Sequence, residues 1–152
     1  MPRFKKAKDY ALYLLKFRSR SKKELEDRLR RKGFAEDEVE EALGDLERAG
    51  LLDDADFARS LVRSRMRELW GKRLIEYELG KFGIRGDEAR SALEEIYDED
   101  FVRREAVEKV LKLAGRWKGM DRRKKREKVI AYFSRRGHSY DFIKSLLEEA
   151  GL

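Results

Sequence analysis

The sequence predicts an all-α fold: three tandem three-helix, helix-turn-helix-like repeats forming an elongated, curved array. Three observations carry this expectation. Gly33, Gly83 and Gly137 each sit at the centre of the same apolar pattern. An acid followed by an aromatic opens each unit, as Asp9 and Tyr10, Asp56 and Phe57, Asp100 and Phe101. No stretch alternates with period two for long enough to suggest a strand.

The pattern is specific. Eight residues before the glycines stand Leu25, Ile75 and Val129, and four before stand Leu29, Leu79 and Phe133. One residue after come Phe34, Ile84 and His138; six after, Val39, Ala89 and Ile143; ten after, Leu43, Leu93 and Leu147. Fourteen of these fifteen are apolar, and only His138 departs. Spacings of four and eight mark one face of a helix, and a following glycine supplies the left-handed conformation that ends it.

In chain order, helices are expected at 8–18, 21–32 and 35–49, at 54–69, 72–82 and 87–97, and at 99–116, 121–136 and 139–150. The units are residues 1–53, 54–98 and 99–152. Ser21 with Glu24 reads as a capping box, and Asp54, Asp98, Asp121 and Ser139 are expected to cap the helices they open. Units of about 50 residues are near the lower limit for a self-sufficient core, so each is expected to lean on its neighbours. The link RWKGM, around Gly115 and Gly119, is the expected mobile corner.

Composition excludes several classes. The 152 residues are 41% hydrophobic and include 16 aromatics, enough to bury a core although 45% are charged. The N-terminal region's longest charge-free run, 10–15, falls far short of the about 20 apolar residues a membrane span needs, so no membrane association is expected. MPRFKKAKDY lacks the apolar core of a secretory signal. With no Cys, disulfides and thiolate metal sites are excluded, and a cytoplasmic location is the default. Asn, Gln and Thr are absent too, a bias that favours ion-pair networks over thermolabile amides.

Charge follows the repeat. Residues 1–32 carry +9, 33–57 carry −9, 58–86 carry +5, 87–100 carry −6, 101–137 carry +10 and 138–152 carry −2. In each unit the first two helices are basic and the third, with its following link, is acidic. Part of this is ordinary helix chemistry, since acids favour a helix N-terminus. Stacked in one orientation, however, the basic helices would form a stripe suited to a polyanion or an acidic protein groove. The acidic third helices disfavour sequence-specific duplex reading by a terminal recognition helix.

The run LLDDADFARSLVRSRMRELWGKRLIEYELGKFGI, residues 51–84, resembles the signature of the RecX family, regulators of the bacterial RecA recombinase. RSRSKKELEDRLRRKGF, residues 18–34, is similar to the family's first repeat, and SRRGHSYDFIKSLL, residues 134–147, to its third. The resemblance spans roughly residues 9–150; it departs at His138, where the family usually has an aromatic, and along the undistinctive 115–120 link. It implies three tandem three-helix repeats, no catalysis, and binding along the helical groove of the recombinase filament on DNA. It also implies restraint of the filament's ATP hydrolysis, strand exchange and co-protease activity. The other reading is a stand-alone, non-specific DNA-binding protein using the basic helices.

The expected partners are the RecA filament and non-specific single- or double-stranded DNA, bound by a monomer. The candidate contacts are Arg63, Arg67, Lys72 and Arg73 in the middle unit and Arg122, Arg123, Lys124 and Lys125 in the last. For any one of them, a solvated face with local ion pairs is an equally good account. Trp70 and Trp117 suit base stacking, but packing between helices is favoured. Capping explains Asp53 and Asp54 better than a metal pair does, and one His without Cys cannot build a typical zinc site. No nucleophile with a base, phosphate loop or metal constellation is present, so neither enzyme activity nor a cofactor is expected.

Overall fold

All three repeat glycines lie in the left-handed region, with φ of +98° at Gly33, +81° at Gly83 and +85° at Gly137. The computed structural model describes residues 3–152; Met1 and Pro2, which open the segment read for a secretory signal, lie outside the described residues. Among the described residues the chain forms nine helices and no strand. They are α1 (Ala7–Leu15), α2 (Lys22–Lys32), α3 (Glu36–Arg48), α4 (Asp54–Arg67), α5 (Lys72–Lys81), α6 (Gly86–Ile96), α7 (Glu99–Arg116), α8 (Arg122–Arg135) and α9 (Tyr140–Glu149). Of the fifteen repeat positions, all but Phe34 and His138 are buried.

Local chemistry sets the ends. Ser21 Oγ accepts from the Glu24 N–H at 3.2 Å while the Glu24 carboxylate accepts from the Ser21 N–H at 3.2 Å, closing the capping box. Asp98, Asp121 and Ser139 cap α7, α8 and α9 through the N–H groups of Phe101, Lys124 and Phe142. Helix α4 differs from expectation, because Asp53 caps it, accepting from the Asp56 N–H at 3.1 Å. Asp54 is its first helical residue, and its carboxylate instead accepts from the Lys22 N–H at 2.8 Å, at the start of α2. The reason is common to both: helix N-termini expose N–H groups without intrahelical partners, and each acid satisfies a different one.

Helix α1 stops at Leu15, short of 18, because the Arg20 guanidinium takes the Leu14 carbonyl at 3.3 Å and turns the chain toward the capping box. Gly115 lies inside α7 rather than in a link. The corner that follows is a turn in which the Met120 N–H donates to the Trp117 carbonyl, with Trp117 packed on the third core.

Each unit has a separate hydrophobic cluster, one centred on Leu25, Leu29 and Leu46, one on Ile75, Leu79 and Ile84, one on Phe133, Ile143 and Leu147. The expected leaning between units is therefore narrow. It is concentrated where middle helices meet end to end: a Cβ on Gly83, after α5, would stand 2.8 Å from the Lys23 Cβ in the first turn of α2. A Cβ on Gly137, after α8, would stand 2.6 Å from the Leu74 Cβ in α5, and the Gly71 N–H donates to the Arg136 carbonyl at 2.7 Å. In both joints the negative end of one helix dipole faces the positive end of the next. The accessible surface is 9849 Å², against about 8,100 Å² for a compact monomer of 18.1 kDa, as an extended array requires.

Leu69 fastens the second joint. It follows α4, has φ of +66°, and is 7% exposed within the third unit's cluster. A left-handed leucine costs about 1–2 kcal/mol, which its burial in the neighbouring core offsets. Its carbonyl accepts from His138 Nε2–H at 2.6 Å, and the imidazole stacks on Phe142 with centroids 4.5 Å apart. The departure from an apolar residue at this repeat position thus supplies a hydrogen bond across the joint.

Burial, with a smaller contribution from Arg136, holds the His138 pKa below its ordinary 6.5. Above pH 6.5 both folded and unfolded chains carry a neutral ring, and the joint has its full stability. As pH falls through 6.5 the unfolded chain takes up the proton first, and stability is lost until the folded ring also protonates. Melting temperatures recorded between pH 8 and 5 should therefore fall toward acid, and His138→Phe should remove that portion of the slope.

Candidate nucleic-acid interface

End-to-end contact of α2, α5 and α8 brings the basic middle helices of all three units into one row. Exposed cations stand along it, including Lys23, Arg31 and Lys32 on α2, Arg73 and Lys81 on α5, and Arg123, Lys124, Lys128 and Arg135 on α8. The row is flanked by grooves that the first helices of the units help to form.

The eight sequence candidates divide by what else they touch. Arg63 and Arg67 are exposed on α4, four residues apart, and line a groove of about 450 Å³ with Ser60, Ser64 and Glu68. Arg73 borders a second groove, of about 550 Å³, with Glu76, Tyr77, Gly80, Lys81, Arg85 and Gly86. Arg63, Arg67, Arg73, Lys124 and Lys125 have no ion-pair partner among the described residues. The other three are engaged. Lys72 pairs with Glu99 at 2.7 Å and lies over the Tyr97 ring at 5.6 Å. Arg122 donates twice to the Leu152 carbonyl, at 3.0 and 3.2 Å. Arg123 pairs with Glu127 at 3.3 Å, but both remain largely exposed, so that pair is a weak commitment.

A third groove lies across the joint of the second and third units, about 530 Å³ in volume, lined by Arg67, Lys109, Lys112, Arg116 and Arg136 with Glu68, Glu105 and Glu108. Tyr132 forms part of its wall, with the Arg136 guanidinium 3.6 Å above its ring. Arg136 also donates to the Glu68 carbonyl at 3.1 Å and so serves the joint. Arg67, Lys112 and Arg116 are exposed and without ion-pair partners among the described residues. The sequence candidates omitted Lys112 and Arg116. Their spacing on α7 matches that of Arg63 and Arg67 on α4, a signal the sequence carried in plain view.

Other cations are structural. Arg65 meets Glu78 through 2.6 and 3.1 Å hydrogen bonds and lies 4.7 Å from the Trp70 ring, which fixes α4 against α5. The two bonds and the Glu78 charge hold the Arg65 pKa above its ordinary value, so this pair stays ionised. Trp70 packs on the second core and accepts through its carbonyl from the Tyr97 hydroxyl at 2.9 Å. Burial pushes that hydroxyl's pKa up to about 12, keeping it a donor. Both tryptophans are thus packing residues.

Comparison with known proteins agrees with the three-helix organisation of the fold. Residues 7–46 match the RecX first three-helix domain, and residues 53–93 match the second. The regulatory protein RecX of Amycolatopsis mediterranei is 35% identical over 98% of this chain and 87% of its own length. This chain belongs to the RecX family. The regulatory protein RecX of Chlorobium limicola is 34% identical over 91% of this chain and 85% of its own length. The crystal structure of RecX from Lactobacillus salivarius superposes with a TM-score of 0.81 at 31% identity, covering 95% of this chain and 94% of that one. The RecX relatives are named regulatory proteins, and no helix among the described residues is long and apolar enough to cross a membrane.

Proposed function

We propose that this chain is a non-enzymatic regulator that binds along the RecA nucleoprotein filament as a cytoplasmic monomer and restrains ATP hydrolysis, strand exchange and co-protease activity. The observation that carries the reading is the row of basic helices α2, α5 and α8, joined end to end, in a chain of the RecX family. Arg63, Arg67, Arg73, Lys124 and Lys125, with Lys112 and Arg116, meet DNA phosphate or acidic filament surface. Contacts spread over three units add through effective concentration, so modest contacts suffice for tight binding. Occupying the filament groove blocks a second DNA strand without any chemistry by the regulator itself.

The test is binding of the purified chain to bare single-stranded DNA and to assembled filament at the same salt. Filament binding at least tenfold tighter, with slower filament ATP hydrolysis, is the expected result. Equal affinities would favour a stand-alone DNA-binding protein instead.

A further inference from the structure

Between α4 and α6 the second unit has a groove of about 380 Å³ whose character is opposite to that of the basic surfaces. Its floor is small and apolar, formed by Ala55, Ala58, Ile84 and Ala92. Glu88 and Glu95, two turns apart on α6, stand on its rim. Only Arg59 supplies positive charge there, and it reaches Glu95 at a loose 3.8 Å while also 3.6 Å from Asp56.

The other two repeats show what such a site takes. In the first unit Lys8 stands where Ala55 stands in the second, and its Nζ lies 3.7 Å from Asp45, the counterpart of Glu95. The counterpart of Glu88 there, Glu38, accepts from the Ala7 N–H at 3.2 Å. In the third unit Val102, Phe142 and Leu146 replace Ala58, Glu88 and Ala92, and the corresponding groove, of about 360 Å³, has the Phe142 ring where the second unit has the Glu88 carboxylate. Arg103, replacing Arg59, pairs with Glu149 at 2.6 Å and lies 5.3 Å from the Phe142 ring. Each flanking unit therefore satisfies its own third helix with a cation, and the last adds apolar bulk. The middle unit pairs Glu95 with Arg59 at a comparable 3.8 Å, but its Glu88 has no partner among the described residues, where Glu38 has a backbone donor and the third unit has Phe142.

We propose that this groove docks a short segment of a protein partner that presents a Lys or Arg side chain to Glu88 on the acidic rim and an apolar side chain to the alanine floor. The acidic rim repels phosphate, so the occupant is protein and not nucleic acid. The inference rests on the reading of this chain as a binding regulator and adds the face that meets protein, opposite in charge to the face that meets DNA.

Two variants close the groove with residues the neighbouring repeats already use: Ala55→Lys, after Lys8, and Ala92→Leu, after Leu146. A fluorescein-labelled helical peptide of lysine and leucine probes the groove without any filament. The wild type is expected to bind it at least tenfold tighter than Ala92→Leu, which leaves charge unchanged, and thermal melts confirm that both variants fold. Equal peptide binding by wild type and both variants overturns the groove whatever the filament does. Filament binding by Ala55→Lys and Ala92→Leu should fall at least tenfold while bare-DNA binding stays within twofold. Peptide discrimination without any loss of filament binding would keep the groove and count against the filament as its partner.

Discussion

Gly137→Ala is expected to lower stability by about 2–4 kcal/mol, measured by urea unfolding, and to loosen the third unit from the second. Two costs add. The backbone has φ of +85°, which for alanine costs about 1–2 kcal/mol. A new Cβ would also stand 2.6 Å from the Leu74 Cβ and 3.3 Å from its backbone nitrogen, atoms that cannot swing aside without moving α5. Gly33→Ala separates the two costs. Its φ is +98°, yet nothing lies within 4 Å of the added carbon, so only the backbone cost of about 1–2 kcal/mol is expected. Gly83→Ala belongs with Gly137→Ala, because its Cβ would meet the Lys23 Cβ at 2.8 Å. Equal losses at all three glycines would mean that the helix ends do not bear on their neighbours, and the row of basic helices would lose its physical basis.

The same glycines show how far the sequence could be read. Their conformation is a local property, visible from an apolar run that stops at each of them, and so are the repeat register and most helix caps. Their second role, close approach to the preceding unit, is tertiary: Gly33 and Gly137 look alike in sequence and differ only in what lies beside them. Asp53 and Asp54 exchange roles for the same reason, since the N–H that Asp54 satisfies belongs to Lys22, 32 residues away. Among the basic candidates, Lys72 reads as free because its partner Glu99 lies at the start of the next unit, and Arg122 because Leu152 lies beyond α9. The groove of Arg67, Lys112 and Arg116 draws on two units, with Leu69, buried in the third core, in its lining. Charge segregation was legible; which charges are left unspent by ion pairs was not.

Reversing Arg67, Lys112, Arg116 and Lys124 to Glu together is expected to weaken binding to single-stranded DNA by about a hundredfold near physiological salt. The salt dependence is the more discriminating reading. Each cation that meets a phosphate contributes about 0.7 to the slope of log affinity against log salt on a single strand, through release of a condensed counterion. The fourfold variant should therefore flatten the slope by about 2 to 3. Lys72→Glu should behave differently. Its ammonium is already held by Glu99 and the Tyr97 ring, so the slope should change by less than about half a unit, while the new carboxylate repels Glu99 and lowers thermal stability. If the ordering is reversed, with Lys72→Glu flattening the slope and the fourfold variant leaving it intact, then the cations that face phosphate are those held within the fold. The four exposed cations on α4, α7 and α8 would then be a solvated surface, and binding would have to come from the joint between α5 and α7 instead.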